Sequence, residues 1–296
     1  MFFDNKTRLS ENRFLMRKLL CTWTLATIPM SFSVFADETA NPPVLKVCAD
    51  PYMLPYSNQE EQGYENKIAE LFAKKMGVEL EYTWFPQRIG FIRNTLTDDE
   101  DGDGKYKCDL VISVPDKFEL AATTEPYYTT TYMLVYVKGR GLDEVTSPEM
   151  LANFVRDKKP DLKFGLADTG PGQNWVFNEG LLGNMVPYQG QPGDPKWHPG
   201  QKMIEELIAG NIDATIAWGP TAGYYAKQYQ DQAELVLLPL NEDKEGKNPN
   251  LRFKFSIAMG VRHADKEWKE RVNQLIEENR EEIDKILVEY GIPLIK

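Results

Sequence analysis

Apolar positions along the chain alternate between two periods. Leu45 to Ala49 form a compact apolar strand. From Tyr64 to Met76 the residues Ile68, Leu71, Phe72 and Met76 fall at helical spacing, and Gly77 sits where a helix C-terminus favours glycine. "VELEYTW" then alternates Val78, Leu80, Tyr82 and Trp84 as a half-buried strand does. "GFIRNTL" reads as the next helix and "CDLVIS" as the next buried strand. Strand, helix, strand, helix, strand is the signature of an α/β unit with a largely parallel sheet.

The pattern then repeats. "LKFGLAD" reads as a strand and "GQNWVFNEGLL" as a helix. Gln201 to Ala209 is a helix with Met203, Ile204, Leu207 and Ile208 inward, followed by the strand "IDATIAW". "ELVLLPL" and "KFSIAMGV" are further strands. One long amphipathic helix is expected from Lys266 to Tyr290, with Trp268, Val272, Leu275, Ile276, Ile283, Ile286 and Tyr290 on a single core-facing stripe. These elements predict two α/β lobes joined by extended crossings near Tyr132 and around residues 239–255. The first lobe would hold residues 37–131 and 255–296, the second 132–254. Ligands of such folds sit in the cleft at the carboxyl ends of the strands.

The first 36 residues read differently. Arg13, Arg17 and Lys18 precede an apolar run from Leu19 to Phe35, and "SVFADET" supplies small residues for cleavage after Ala36. Residues 1–36 therefore read as a secretory signal peptide, not a membrane anchor, because Pro29 and several Thr and Ser residues interrupt the run. No convincing lipobox precedes Cys21. The leader carries five basic and two acidic side chains, so its removal takes the formal charge from −11 to −14. Such an acidic surface argues against nucleic acid and anionic membrane as partners.

Export leaves Cys48 and Cys108. They fall in "LKVCAD" and "KCDLVISV", short buried strands that would be parallel neighbours. Either they form a disulfide or they are two reduced, buried thiols; an exported chain with two cysteines favours the disulfide.

The order of the pieces resembles the type II periplasmic solute-binding proteins over residues 44–296. "GYENKIAELFAKKMGVELEYTWF", "CDLVIS" and "TTEPYYTTTYMLVYVKG" match their first lobe. "IEELIAGNIDATIA" matches the second, and "FSIAMGVRHADKEW" the return. Four narrower motifs, "VCADPYMLPYSN", "CDLVISVP", "EPYYTTTYMLVY" and "AWGPTAGYYA", together resemble one subgroup, the methanol-oxidation J proteins (MxaJ/XoxJ type). The resemblance implies a two-lobed fold with a central cleft and two hinge crossings. It also implies a periplasmic accessory needed for an active PQQ-dependent methanol dehydrogenase, whose large subunit, alone or with its cytochrome c, would be the partner. It does not imply that this chain binds the quinone or oxidises methanol itself, and no cofactor is expected.

An amino-acid-binding relative grips its ligand with a guanidinium fork and a carboxylate. Here the stretch after "CDLVIS" offers Lys117 and no arginine, and the end of "IDATIA" offers Trp218. Both halves of the clamp are missing or weakened. The expected cleft set is Asp50, Tyr52, Tyr56, Tyr127, Trp218 and Tyr224, with Met53, Tyr128 and Tyr225 beside them. For Tyr127, Tyr128 and Trp84 simple packing of core or hinge competes with that role. Asp50 is read equally as a ligand contact or as a cap for the turn after it, and Gly219-Pro220 also makes a tight strand-to-helix turn without any ligand.

Other chemistry is thin. Asp99, Asp101, Asp103 and Gly104 match positions 1, 3, 5 and 6 of an EF-hand loop, but position 12 is Leu110, so the segment reads as a solvated acidic loop and no metal site is expected. His198 and His263 lack metal-ligand spacing. There is no GxSxG elbow and no P-loop, and "DTGPGQNWV" reads as a turn with a helix start. Three classes follow in order: a partner-binding accessory, a transport receptor for a small aromatic or alcohol-like solute, and last an enzyme like the dehydratases that share this fold.

Overall fold

The computed structural model describes residues 41–99, 101–168, 170–190, 193–242 and 250–295. The leader read at residues 1–36 lies outside them. The first lobe opens with β1 (Val44–Ala49), the hairpin of β2 (Tyr52–Met53) and β3 (Ser57–Asn58), α1 (Tyr64–Met76), β4 (Glu79–Trp84), the single turn α2 (Phe91–Asn94), β5 (Val111–Pro115) and β6 (Ala122–Thr123). Strand β7 (Tyr128–Val137) leads into the second lobe. That lobe holds α3 (Pro148–Lys158), β8 (Phe164–Ala167), α4 (Pro171–Asn178), β9 (Met185–Tyr188), α5 (Pro199–Ala209), β10 (Ala214–Trp218), α6 (Gly219–Gln228) and β11 (Leu235–Pro239). The chain then returns through β12 (Lys254–Val261), α7 (Lys266–Glu278) and α8 (Arg280–Glu289).

The apolar stripes of the sequence become two cores. Leu45, Ile68, Phe72 and Ile112 pack with Met259, Val272, Leu275 and Ile283 in the first lobe. Leu134, Leu151, Phe164, Trp175 and Ile216 pack on one face of the second sheet, and Met203, Ile204, Leu207, Ala217 and Tyr225 on the other. The strand between the lobes is unbroken. Tyr128–Thr131 of β7 pair antiparallel with β12, whereas from Tyr132 onward β7 pairs with β10 and β11. Its run of threonines and aromatics suits that extended geometry.

The C-terminal helix expected as one piece is two, broken at buried Asn279. Its backbone leaves helical geometry (φ −121°, ψ 22°), and its side-chain amide donates to the Leu275 carbonyl at 2.8 Å. A buried asparagine that bonds its own preceding turn competes with helix continuation.

After α8 a further connection adds to the two crossings. The Ile295 N–H donates to the Thr129 carbonyl at 2.8 Å, and Ile295 packs against the second lobe's α5–α6 core. Gly223 of α6 permits this. A Cβ there would lie 1.9 Å from the Gly291 carbonyl oxygen.

Cys48 and Cys108 form a disulfide with a Cα–Cα distance of 5.4 Å. The Cys48 N–H donates to the Leu110 carbonyl, and Val47 and Leu110 form a parallel bridge, so the two segments are the neighbours their pattern implied. Arg262, at the end of β12, donates to the Cys108 carbonyl and pairs with Asp109 at 2.7 Å, clamping the same segment from the other side. With 60 residues between the sulfurs, replacing both cysteines by alanine should lower the unfolding free energy by about 4 kcal/mol. Guanidinium unfolding of residues 37–296 and of the double variant checks this.

Candidate functional site

The carboxyl ends of β5, β8 and β10 face one another across a cavity of about 480 Å³. Tyr56, Ser113 and Tyr128 come to its wall from the first lobe, Tyr132 from the continuous strand, and His198, Trp218 and Thr221 from the second. Among the described residues on this wall none is Asp, Glu, Lys or Arg. Its polar groups are hydroxyls, the Gln87 and Gln173 amides, an imidazole and an indole. An isolated charge entering such a wall would lose hydration without gaining a counter-charge. Lys117, the cation nearest in sequence to the clamp position, is exposed and off the wall.

Trp218 is the last residue of β10, opposite Tyr132 in register, and the residue before α6. Its ring meets Tyr132 at 4.9 Å and Phe255 at 5.5 Å, both edge-on, and packs against the first lobe's core. The side chain thus wedges between the two strands that cross the hinge while one face looks into the cavity. Gly219 follows because a Cβ there would lie 2.4 Å from the Thr131 carbonyl oxygen. Close packing against β7 therefore accounts for that glycine.

The other expected cleft residues separate. Tyr56 joins Trp218 on the cavity wall; burial raises its pKa most, and the approach of the Thr221 and Trp218 side chains opposes the rise. Tyr52 and Tyr224 line a neighbouring depression that shares Leu54 and His198 with the cavity. Tyr52 also lies under the Lys196 ammonium at 5.1 Å. Asp50 is buried behind the wall. Its carboxylate accepts the N–H of Tyr52 at 2.7 Å and of Gln87 at 2.5 Å, so it ties two loop segments together. Tyr127 is off the wall. It packs in the first lobe's core, 2% exposed, with its hydroxyl 3.0 Å from Ser113 Oγ. A hydroxyl needs a partner once the ring is buried, and Ser113 supplies it from the cavity floor.

That floor contains a cluster absent from the expected site. Ser113 Oγ lies 3.1 Å from the Tyr64 hydroxyl, which lies 3.0 Å from that of Tyr128. The Glu65 carboxyl approaches Ser113, and its Oε1 is buried with no partner among the described residues. Burial pushes the Glu65 carboxyl up to about 8; the Ser113 contact lowers it and the Asp50 charge adds to the rise. On the opposite wall, desolvation pushes His198 down, against the pull of Asp50, and its Nε2 is buried without a partner among the described residues. A trace of Glu65 was present in the sequence. Glu65, Ala69 and Ala73 fall four apart on α1, and all three are buried. His198 left no comparable signal.

In the acidic loop, Asp99 accepts the backbone N–H groups of Asp103 and Gly104, and Lys105 pairs with Asp103. Among the described residues no group of three His, Cys, Asp or Glu is placed to hold a metal ion, and no helix is long and apolar enough to cross a membrane.

The Glu65 carboxyl is neutral when folded and ionises near 4.5 when unfolded, so it favours the unfolded chain increasingly as pH rises from about 4.5 to about 8. Glu65→Gln removes this dependence. The stability difference between pH 5 and pH 8 should shrink by roughly 2–4 kcal/mol, measured by urea unfolding of both proteins at the two pH values. An unchanged difference would place the carboxyl in water.

No protein-family model matches the chain. It is 24% identical to the protein MoxJ of Paracoccus denitrificans over 289 residues, 93% of this chain and 96% of that one. Among solved structures it resembles the periplasmic binding protein XoxJ from Methylobacterium extorquens AM1, at 29% identity and a TM-score of 0.65, covering 85% of this chain and 99% of that one. It also resembles MxaJ from Methlophaga aminisulfidivorans MPT, at 24% identity and a TM-score of 0.67, over 85% of this chain and all of that one. The two-lobed architecture is theirs as well, and these similarities support a MoxJ-type protein.

Proposed function

We propose that this chain is a periplasmic accessory of methanol oxidation, one that binds a PQQ-dependent methanol dehydrogenase and helps bring it to its active form. The observation that carries the reading is the uncharged, aromatic wall of the inter-lobe cavity. A receptor for amino acids needs ionic partners at that place, and a wall of tyrosine, tryptophan and amide groups suits a protein segment instead. The kinship with MoxJ and XoxJ supports the periplasmic setting and the pathway. On this reading the lobes are residues 37–131 with 255–296, and residues 132–254; Tyr56 and Trp218 contact the partner directly, and Tyr52 and Tyr224 extend the surface. The chain acts by binding and not as an enzyme.

A receptor for a small uncharged solute is the second reading, because a volume of about 480 Å³ is also that of a small-molecule site. A pull-down with the tagged, exported protein from its own periplasm separates the two. Recovery of the dehydrogenase is expected, and recovery of a transport permease would overturn the proposal. Trp218→Ala should weaken capture of the dehydrogenase at least about tenfold, or roughly 1.4 kcal/mol, with a native near-ultraviolet spectrum. Capture at full strength by that variant would make Trp218 a hinge residue only.

A further inference from the structure

A second hollow lies on the first lobe, beyond the tip of β5. Gln87, Ser113, Val114 and Pro115 separate it from the central cavity, lining both, and it encloses about 590 Å³. Phe91, Ile92 and Val114 are buried along it, with Phe118 beside them. Ile89 and Leu120 also line it, 92% and 60% exposed. Two large apolar side chains left in water around an apolar hollow mark a place that something apolar covers.

The charges on its wall have one sign. Among the described lining residues only Arg88 and Arg93 are charged, in a chain whose formal charge is −11. Arg88 reaches the Asp194 carbonyl with its guanidinium. Arg93 is exposed and pairs with no carboxylate among the described residues. Its Nη2 lies 3.5 Å from where a Cβ on Gly90 would stand, so the guanidinium folds along the turn that forms the wall.

We propose that this hollow binds an apolar monocarboxylate, an aliphatic or aryl-alkyl acid. Its hydrocarbon body lies against Phe91, Ile92, Val114 and Phe118, and its carboxylate meets Arg93, with Arg88 adding positive field. A planar guanidinium fork matches a carboxylate and is weakly hydrated, so it gives up little on contact. An alcohol of the same length has the hydrocarbon contact alone, and an amine of the same length meets like charge. The site is separate from the central cavity and does not depend on how that cavity is used.

Isothermal titration of the exported protein with octanoate, octanol and octylamine tests the assignment. Octanoate should bind at least about tenfold more tightly than octanol, and octylamine more weakly than either. Arg93→Gln should abolish the preference for octanoate without changing the melting temperature, because Arg93 is exposed. Trp218→Ala, in the central cavity, should leave octanoate binding as it is. Octanoate binding no tighter than octanol, or binding that Arg93→Gln leaves intact, overturns the proposal. So does loss of octanoate binding in Trp218→Ala with retention in Arg93→Gln, which would move the ligand to the central cavity.

Discussion

A single strand has to satisfy its backbone in two sheets at once. Strand β7 exchanges its partner between Thr131 and Tyr132, from β12 to β10 and β11, without a break in its own ten residues. Buried N–H and C=O groups tolerate almost no gap in pairing, so the position of that exchange fixes where the lobes meet. The cavity lies there. Tyr128 and Tyr132 stand four residues apart on one face of the strand and both reach its wall, as a period of two requires. Trp218 pairs with Tyr132 and closes the exchange point from the second lobe.

The consequence for recognition is a site in which polarity comes from neutral groups. The buried carboxyl groups stand behind the wall, not on it. Asp50 is committed to backbone N–H groups, and Glu65 is kept protonated by burial at neutral pH. On the wall itself, His198 loses basicity through desolvation. Neutral donors and acceptors on a cavity wall discriminate by hydrogen-bond pattern and shape, and they penalise charged ligands without any repulsive residue.

Much of this fold was legible in the chain. The helix Tyr64–Met76 appears at its expected bounds, with Gly77 in the left-handed region, and the strands ending at Trp84, Trp218 and Val261 appear where the apolar pattern placed them. Helix α3 and strand β9 were not among the expected elements, although Leu151, Ala152 and Val155 carry a helical stripe after Ser147-Pro148. The break at Asn279 was hidden because a stripe records which face is buried and not whether the backbone bends beneath it. The site was half legible. Strand ends predict who stands near a cleft, which located Tyr56 and Trp218. They do not tell a ring that faces the cavity from one that faces the core, and Tyr127, next to Tyr128, is the instance. Contacts made by residues far apart in sequence, such as Ser113 with Tyr64 and Glu65, leave almost no local trace.

The first lobe draws its core from both ends of the chain. Leu45, Ile68 and Phe72 come early, and Val272, Leu275, Ile276 and Ile283 come more than 180 residues later. A polypeptide that emerges N-terminus first exposes the early half of that core while the whole second lobe is still arriving. Closing so long a loop carries a cost in chain entropy that only the finished core offsets. The disulfide needs nothing beyond Cys108. It can tie the waiting segment to itself, and keep its apolar strands paired, until the final helices emerge to cover them.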